Sequence, residues 1–205
     1  MHRSLTIFAC AALAGSAAVA QTAPTAAPAP APAPSAAGKL ADKLINQPLT
    51  ATWYVFGAGQ TNEVMPTGGP QNYPATRVTV AAKGANPWDA GAVSQLSKPV
   101  AAGDVLLVAV YLRAPMLKDG ETTPITYLGV SEGPPNYPIV LSASANITNQ
   151  WKVYYASGKT TKAYAADAVS VGVHLAADKH VVDLGPVRVF DLGPDVDPAR
   201  LPKND

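Results

Sequence analysis

Residues 169–175 read VSVGVHL, and their alternation is the strongest structural signal in the chain. Valine or leucine fills every odd position from Val169 to Leu175, while Ser170, Gly172 and His174 fill the even ones. Because successive side chains of a strand point to opposite faces, this pattern predicts a strand with one face in an apolar core.

A longer segment, Val105–Leu112, is apolar at both parities and predicts a central strand that is covered on each face. Turn-forming motifs such as Ala102-Gly103-Asp104, Lys118-Asp119-Gly120 and Glu132-Gly133-Pro134-Pro135 separate the strand-like segments. No segment with a clear helical period alternates with them, although Ala41–Ile45 is compatible with one helical turn.

We therefore predict an all-β domain, an antiparallel β-sandwich of the jelly-roll type with about nine strands. The predicted strands are Thr52–Phe56, Thr76–Ala82, Ala92–Leu96, Val105–Arg113, Thr126–Val130, Ile139–Ala145, Trp151–Ala156, Ala168–Leu175 and His180–Leu192, the last bent or divided at Gly185-Pro186.

The two ends of the chain differ in composition from this region. Residues 1–20 combine Arg3, an apolar run and a terminal Ala18-Val19-Ala20, which predicts a signal peptide cut before Gln21. Residues 21–38 alternate proline with alanine, which predicts an extended linker. We expect the sandwich to occupy 39–193 and a polar tail to occupy 194–205.

Charge and cysteine content restrict the function classes. The chain has 15 Lys and Arg against 14 Asp and Glu, and Arg3 is the only charged side chain of the predicted signal peptide. A balanced charge without basic blocks argues against nucleic acid and acidic membranes as partners. Cys10 is the only cysteine and lies in the signal peptide, so the exported protein has no disulfide or thiolate site. We expect a secreted monomer, periplasmic or extracellular, without a transmembrane segment.

Several short segments follow one another in a characteristic order over residues 44–193. They are Leu44-Ile45-Asn46 followed by Trp53; Arg77–Val80 running into Pro87-Trp88-Asp89; Pro99–Asp104 before a long apolar strand ending at Tyr111–Ala114; Ile147–Tyr154; and Val181–Val189. This order resembles that of the CenC-type carbohydrate-binding modules, families 4, 9 and 22, which are galactose-binding-like jelly rolls. The resemblance implies a non-catalytic domain that binds a polysaccharide or oligosaccharide of the xylan or β-glucan class. Such modules are commonly attached to glycoside hydrolases, whereas this chain is expected to be a free-standing member.

Four residues are candidates for the ligand site. Trp88 lies in the turn-like Asn86–Gly91, and Tyr137 lies between prolines, so both rings are expected at a rim where they can stack on a sugar. Arg77 and Gln95 are candidate hydrogen-bonding partners for hydroxyl groups. For each residue a structural role stays open: Trp88 as a plug, Arg77 paired with Asp104 or Glu63, and Gln95 facing water.

The other aromatic residues are assigned mainly to structure. Trp151 alternates with Val153 and is expected in the core, and Trp53 is expected in core or edge packing. Tyr127 and His174 are weaker candidates for ligand contact, since a lone histidine opposite a valine face is usually an exposed strand residue.

The resemblance also implies a structural calcium ion held by acidic groups near the chain ends. Asn46–Leu49 carries no carboxylate, which leaves Asp183 and Asp191 as candidates, and solvated or turn-capping aspartates are the alternative. Calcium takes six to eight oxygen ligands. We therefore predict no cofactor other than this calcium ion, for which the sequence offers few ligands.

Two further functions stay open. A small jelly-roll glycoside hydrolase needs two carboxyl groups across a cleft, but the three glutamates, Glu63, Glu121 and Glu132, fall in turn-like segments. The chain has no Gly-x-Ser-x-Gly motif, and after the signal peptide only His174 and His180 could serve as a base or zinc ligand. The other alternative is an envelope module that binds a protein, because a jelly roll alone does not fix function.

Overall fold

The computed structural model describes residues 40–47 and 53–205, which form a sandwich of two β-sheets. The predicted signal peptide, the whole predicted linker and the predicted strand start at Thr52 lie outside these residues. The strands are β1 Tyr54–Gly57, β2 Gln60–Met65, β3 Ala75–Val80, β4 Ala90–Gln95, β5 Val105–Arg113, β6 Thr123–Glu132, β7 Ile139–Ile147, β8 Lys152–Lys159, β9 Val169–His174 and β10 His180–Asp191. Three short 3₁₀ helices span Pro70–Asn72, Pro87–Asp89 and Pro198–Arg200.

Each sheet has five strands, and every recorded strand pair is antiparallel. The first sheet has the order β1-β4-β9-β6-β7, and the second has the order β2-β3-β10-β5-β8. Apart from the consecutive pairs β2-β3 and β6-β7, neighbours in each sheet are not consecutive in the sequence, as expected for a jelly roll. The prediction of an all-β antiparallel sandwich is confirmed, with ten described strands in place of about nine.

The core lies between the two inner faces. VSVGVHL forms β9 at the centre of the first sheet, where Val171, Val173 and Leu175 are wholly buried. From the second sheet Val108, Val110 and other residues of β5 meet them. Burial of apolar surface contributes about 25 cal/mol per Å², so this layer supplies the main stabilising term.

Strand β10 connects the second sheet to the N-terminal segment. Its pairing with β5 shifts between Leu184 and Val187, which confirms the irregularity predicted at Gly185-Pro186. Two buried side chains bond backbone groups of β10 at and after this irregularity. Trp53 Nε1 donates to Gly185 O at 2.9 Å, and the Asn46 amide donates to Val187 O and accepts from Val189 N. The burial of Trp53 agrees with its predicted packing role.

Two predictions about strands were wrong. Strand β2 was missed because Gln60–Met65 is an exposed edge strand with little apolar alternation. The segment Val105–Leu112 is not covered on both faces, because Leu107, Ala109 and Tyr111 of β5 are only half-buried on the outer side. An outer face that is partly covered by other side chains tolerates apolar residues and so hides the alternation.

The prediction that Trp151 belongs to the core was also wrong. Strand β8 points Tyr154 and Ala156 inward, so the odd positions face outward. Trp151 is half-buried on that outer side, with the Arg113 guanidinium 4.8 Å from its ring centroid. Val153 is half-buried as well, which shows that its alternation with Trp151 follows the outer face.

The described ends of the chain are attached to the sandwich. A single helical turn at residues 40–43 agrees with the predicted turn in part, and Leu44 then bridges to Phe190. In the predicted polar tail, the Asn204 side chain bonds Tyr155 N, Tyr155 O and Ser144 O. Within residues 40–47 and 53–205, no helix has the length and apolar character to cross a membrane.

Candidate functional site

The outer face of the first sheet has a row of aromatic side chains at one end of its strands. Strand pairing aligns Phe56 with Gly91 and Gly91 with His174. His174 stacks on Tyr127 of β6, with 4.3 Å between ring centroids and 26° between ring planes. We call Phe56, Gly91, His174 and Tyr127 the aromatic row.

Two residues further along each strand, the same face is lined mainly by small side chains. The pairing aligns Tyr54, Val93, Gly172, Gly129 and Ser142 across all five strands. We call these residues the middle row. Tyr54, on the edge strand, is 70% exposed and ends the row with a free ring.

A third line of residues carries hydrogen-bonding groups. Two residues beyond the middle row, on the same face, Gln95 of β4 pairs with Ser170 of β9. Ser170 in turn pairs with Ser131 of β6. We call Gln95, Ser170 and Ser131 the polar row. Because a strand advances about 3.3 Å per residue, the aromatic and polar rows lie roughly 13 Å apart, with the middle row between them.

Glycine at two positions lets the aromatic rings lie close to the sheet. A Cβ on Gly91 would stand 2.7 Å from Phe56 Cζ and 2.8 Å from Val173 O. A Cβ on Gly172 would stand 3.5 Å from Tyr127 Cε1. The small side chains of the middle row, with Gly172 and Gly129 at its centre, therefore leave a low floor between the aromatic and polar rows. We call this strip, which crosses the strands, the trough.

Trp88 lies beside the aromatic row on the 3₁₀ helix Pro87–Asp89. A reciprocal cap fixes this helix: Asn86 N donates to Asp89 Oδ2 at 2.8 Å, and the two side chains also bond each other. These hydrogen bonds lower the pKa of Asp89, and the one from the Asn86 backbone has the largest effect. The Trp88 ring is 57% exposed and meets His174 edge to face, with 6.2 Å between centroids. Its position at a rim is as predicted.

Tyr127 and His174 are more enclosed than the sequence suggested. Burial raises the pKa of Tyr127 and lowers that of His174, so both rings are held neutral near pH 7. The Tyr127 hydroxyl is buried without a hydrogen bond of good geometry, although Ser131 is close enough to oppose part of the rise in its pKa.

The other candidates are distributed around the molecule. Gln95 lies on this face, where its amide nitrogen donates to Asp167 O at 2.5 Å and Val169 O at 3.2 Å. Tyr137 is 60% exposed in the loop after β6, beyond the end of the strands that carries Gln95. Trp88 and Tyr137 are thus beyond opposite ends of the strands, so they do not form one adjacent pair of rings.

Arg77 lies on the other side of the sandwich. It is on β3 of the second sheet and pairs with Asp183 through two hydrogen bonds of 2.7 and 2.9 Å. Of the structural partners considered from the sequence, Glu63 is 4.0 Å away, whereas Asp183 was not foreseen. Arg77 therefore does not lie beside Trp88, as a shared ligand site would require. Arg77 is on the second sheet, whereas Trp88 contacts His174 of the first.

The aspartates considered for calcium do not fit a calcium site. Both oxygens of Asp183 accept hydrogen bonds from Arg77 and Arg113, and its carboxylate is wholly buried. Asp191 accepts from Gly193 N, and burial together with the nearby Asp104 raises its pKa. No group of three or more metal-ligating side chains occurs among the residues that the structure describes. Calcium prefers more oxygen ligands than one such pair offers.

The glutamates are engaged elsewhere. Glu121 accepts from Lys118 N, Glu132 pairs with Lys162 at 2.8 Å, and Glu63 lies on β2 near Arg77. Glu63, on β2, and Glu132, the last residue of β6, are therefore on strands, in contrast to their predicted turns. None of the three belongs to the aromatic, middle or polar row.

Of the residues that form or adjoin this surface, Trp88 and Gln95 were sequence candidates, Tyr127 and His174 were weaker ones, and Tyr54 and Phe56 were not considered. The alternation of Tyr54 and Phe56 at the end of the first predicted strand is the signal that could have paired them on one face. The order of strands is not readable from the sequence, so the meeting of β1, β4, β9 and β6 was not predictable.

Comparison with solved structures assigns the fold. A structure described as "CBM4 structure and function" matches 74% of this chain and 99% of its own, at 13% identity and a TM-score of 0.52. The second N-terminal cellulose-binding domain of Cellulomonas fimi β-1,4-glucanase C matches 72% and 90%, at 22% identity and a TM-score of 0.50. The CBM22-1 xylan-binding domain from Paenibacillus barcinonensis Xyn10C matches 73% and 92%, at 11% identity and a TM-score of 0.50.

The fold is thus that of the jelly-roll carbohydrate-binding modules, as the resemblance implied. The chain also matches an arabinose-bound GH51 α-L-arabinofuranosidase at a TM-score of 0.52, but it spans only 25% of that longer chain. No family model matches the sequence, and no curated protein matches it. At these identities the likeness defines the architecture, and the function has to be argued from the surface.

Proposed function

We propose that this protein is an exported, non-catalytic module that binds neutral polysaccharide of the xylan or β-glucan class. The observation that carries the proposal is the exposed Trp88 ring beside the aromatic row, above a floor of glycines. A sugar ring has apolar C–H faces edged by hydroxyl groups, so it fits flat rings with hydrogen-bonding groups nearby.

The direction of the trough suits a chain ligand. Neighbouring strands lie about 4.8 Å apart, so five strands provide a trough roughly 20 Å long. The middle row runs this whole length from Tyr54 to Ser142. The ligand would therefore lie across the strands, with aromatic contact on one side and the polar row on the other.

The charge of the surface supports a neutral ligand. The three rows contain no aspartate, glutamate, lysine or arginine. Burial lowers the pKa of His174, which keeps its imidazole uncharged near neutral pH. An acidic polysaccharide would find no cationic side chain in these three rows.

Affinity electrophoresis in gels containing xylan or mixed-linkage β-glucan tests the proposal. The wild-type protein should be retarded, and Trp88→Ala should weaken the affinity by roughly 1–3 kcal/mol because the stacked apolar area is lost. Since Trp88 is mostly exposed, the variant should keep the thermal midpoint of the wild type.

Trp151→Ala is the matched control, because it removes a tryptophan from the outer face of the opposite sheet. It should leave the retardation by mixed-linkage β-glucan unchanged, because that polymer carries no carboxylate. Equal mobility of wild type and Trp88→Ala in every gel would contradict the proposal, and recovery of an envelope protein by the wild type would then favour a protein-binding module. Turnover of the polysaccharide would contradict the non-catalytic assignment.

A further inference from the structure

The outer face of the second sheet carries a cluster of charged and aromatic residues with a different chemistry. Arg77 of β3, Asp183 of β10 and Arg113 of β5 pair in one line across three neighbouring strands. Arg77 Nε and Nη2 contact the two Asp183 oxygens at 2.7 and 2.9 Å, and Arg113 Nε contacts Oδ2 at 2.8 Å. Together with Trp151, we call these residues the arginine cluster.

The arginine cluster has an excess of positive charge. Two guanidinium groups face a single carboxylate, that of Asp183, which is wholly buried. Within the described residues, the other carboxylate paired with either arginine is Glu63, at 4.0 Å from Arg77 Nη1 and with 66% of its side chain exposed. Glu63 is exposed and on the side of Arg77, so Arg113 shares the one buried carboxylate with Arg77 and has no further carboxylate partner among the described residues.

Arg113 also has unused hydrogen-bond donors. Only its Nε–H is bonded, and in the described part of the chain Nη1 and Nη2 have no acceptor. The guanidinium is held over the Trp151 ring at 4.8 Å, and 26% of the Arg113 side chain is exposed. A planar guanidinium with two free nitrogens matches a carboxylate in a two-pronged geometry.

One aromatic ring lies against this donor group. A Cβ on Gly185 would lie 2.9 Å from Tyr111 Cβ and 3.2 Å from Trp151 Cζ3, so the Trp151 ring and the base of the Tyr111 side chain close over bare backbone there. The surface thus combines the apolar Trp151 ring with a cationic fork. A free carboxylate would use only the fork, whereas a sugar that carries a carboxylate would use both.

We propose that the arginine cluster is a second binding site, for the carboxylate of an acidic sugar such as a uronic acid residue. Arg113 binds the carboxylate of the sugar, and Trp151 positions the Arg113 guanidinium. Arg77 compensates the charge of Asp183, so that the charge of Arg113 is available to the ligand. This site lies on the sheet opposite the trough and does not depend on the trough being a glycan site.

Titration of the ¹⁵N-labelled protein with sodium glucuronate tests the proposal, with the Arg113 Nε–H and Trp151 Nε1–H resonances as reporters. Both should shift and saturate with glucuronate. Acetate, which has the carboxylate without the ring, should bind at least about fivefold more weakly, and glucose should produce no saturable shift.

Arg113→Lys keeps the charge but loses the fork, and should weaken glucuronate binding about tenfold, followed by the Trp151 resonance. Arg188→Lys, on the same sheet, is the matched control and should bind as the wild type does. Trp88→Ala should also bind glucuronate normally, which separates this site from the trough.

Three results would overturn the proposal: no saturable shift of the wild type with glucuronate, equal affinity for acetate and glucuronate, or unchanged binding by Arg113→Lys. If Arg113→Lys does not fold, the wild-type titrations with the three small molecules decide the question alone.

Discussion

Buried ionisable side chains make the stability of this molecule depend on pH. Both ring nitrogens of His180 make hydrogen bonds. Nδ1 lies 2.8 Å from Thr123 Oγ1, and Nε2 lies 2.7 Å from Leu175 O. With Nε2–H donating to the carbonyl, Nδ1 accepts from the Thr123 hydroxyl, which requires a neutral ring. Burial is the main cause of the lowered pKa of both His180 and His174, and for His180 the Leu175 carbonyl and Asp178 oppose it.

The first prediction concerns acid. The folded pKa of both imidazoles lies below the unfolded value of about 6.5. Their contribution to the free energy of unfolding is therefore complete above about pH 6.5 and is lost as the pH falls from there through the folded pKa. The urea midpoint should therefore decrease between pH 7.5 and pH 5.5. In the double variant His174→Phe, His180→Gln this decrease should become smaller. If the double variant keeps the full decrease, the effect belongs to carboxylates instead.

The second prediction concerns Asp191, whose pKa is raised by burial first and by Asp104. A raised folded pKa means that ionised Asp191 costs stability at pH 7. Asp191→Asn keeps an acceptor for Gly193 N and removes the charge, so its thermal midpoint at pH 7 should rise. Asp195→Asn, also in the C-terminal segment, is the control. A lower midpoint for Asp191→Asn, or a wild-type midpoint that falls when a chelator removes calcium, would contradict this interpretation and favour a cation at Asp191.

Edge strands β7 and β8 are joined by a contact from the C-terminal segment. Asn204 reaches Ser144 O of β7 and both backbone groups of Tyr155 of β8, each at 2.8–2.9 Å. The two strands belong to different sheets, so one side chain links both layers at this side of the sandwich. Pairing the exposed backbone of edge strands also protects them from unwanted association.

The third prediction follows from that link. Asn204→Ala loses three hydrogen bonds and should lower the free energy of unfolding by about 1–3 kcal/mol, as measured by urea denaturation. Asn62→Ala is the control, since Asn62 makes one exposed bond to Gln60. Equal stability of the two variants would show that the C-terminal segment adds nothing to the sandwich.

Strand-level prediction succeeded where one face is buried. β9 was predicted within one residue at each end because core burial imposes a strict period on it, and β5 was predicted from its continuous apolar run. It failed for β2, whose residues meet solvent, and for Trp151, whose period follows a partly covered outer face. The sequence does not state which side of an alternating strand is inward.

The fold as a whole was predictable from the alternation and from the ordered segments, whereas the site was predictable only in part. The exposure of Trp88 was predictable from its turn residues, and Gln95 lies on the outer face of the first sheet, while their contact with a ligand stays a prediction. Arg77 could not be excluded beforehand, because its partner Asp183 is 106 residues away and meets it only through strand pairing. Surfaces assembled from several strands depend on topology, which local patterns do not encode.

Two faces of one sandwich then have different chemistry. The first sheet presents uncharged rings, glycines and polar groups, and the second presents the arginine cluster. We expect a neutral chain on the former and an acidic sugar on the latter, so a decorated polysaccharide could engage either side of the molecule.

An NMR titration of the ¹⁵N-labelled protein with xylohexaose and cellohexaose locates a neutral ligand on one face or the other. Saturable shifts of Gly91, Gly172, Gly129 and the Trp88 Nε1–H, with Trp53 and Trp151 Nε1–H unmoved, are the result we predict for at least one of the two sugars. Saturable shifts confined to the second sheet, or none with either sugar, would contradict a glycan site on the trough.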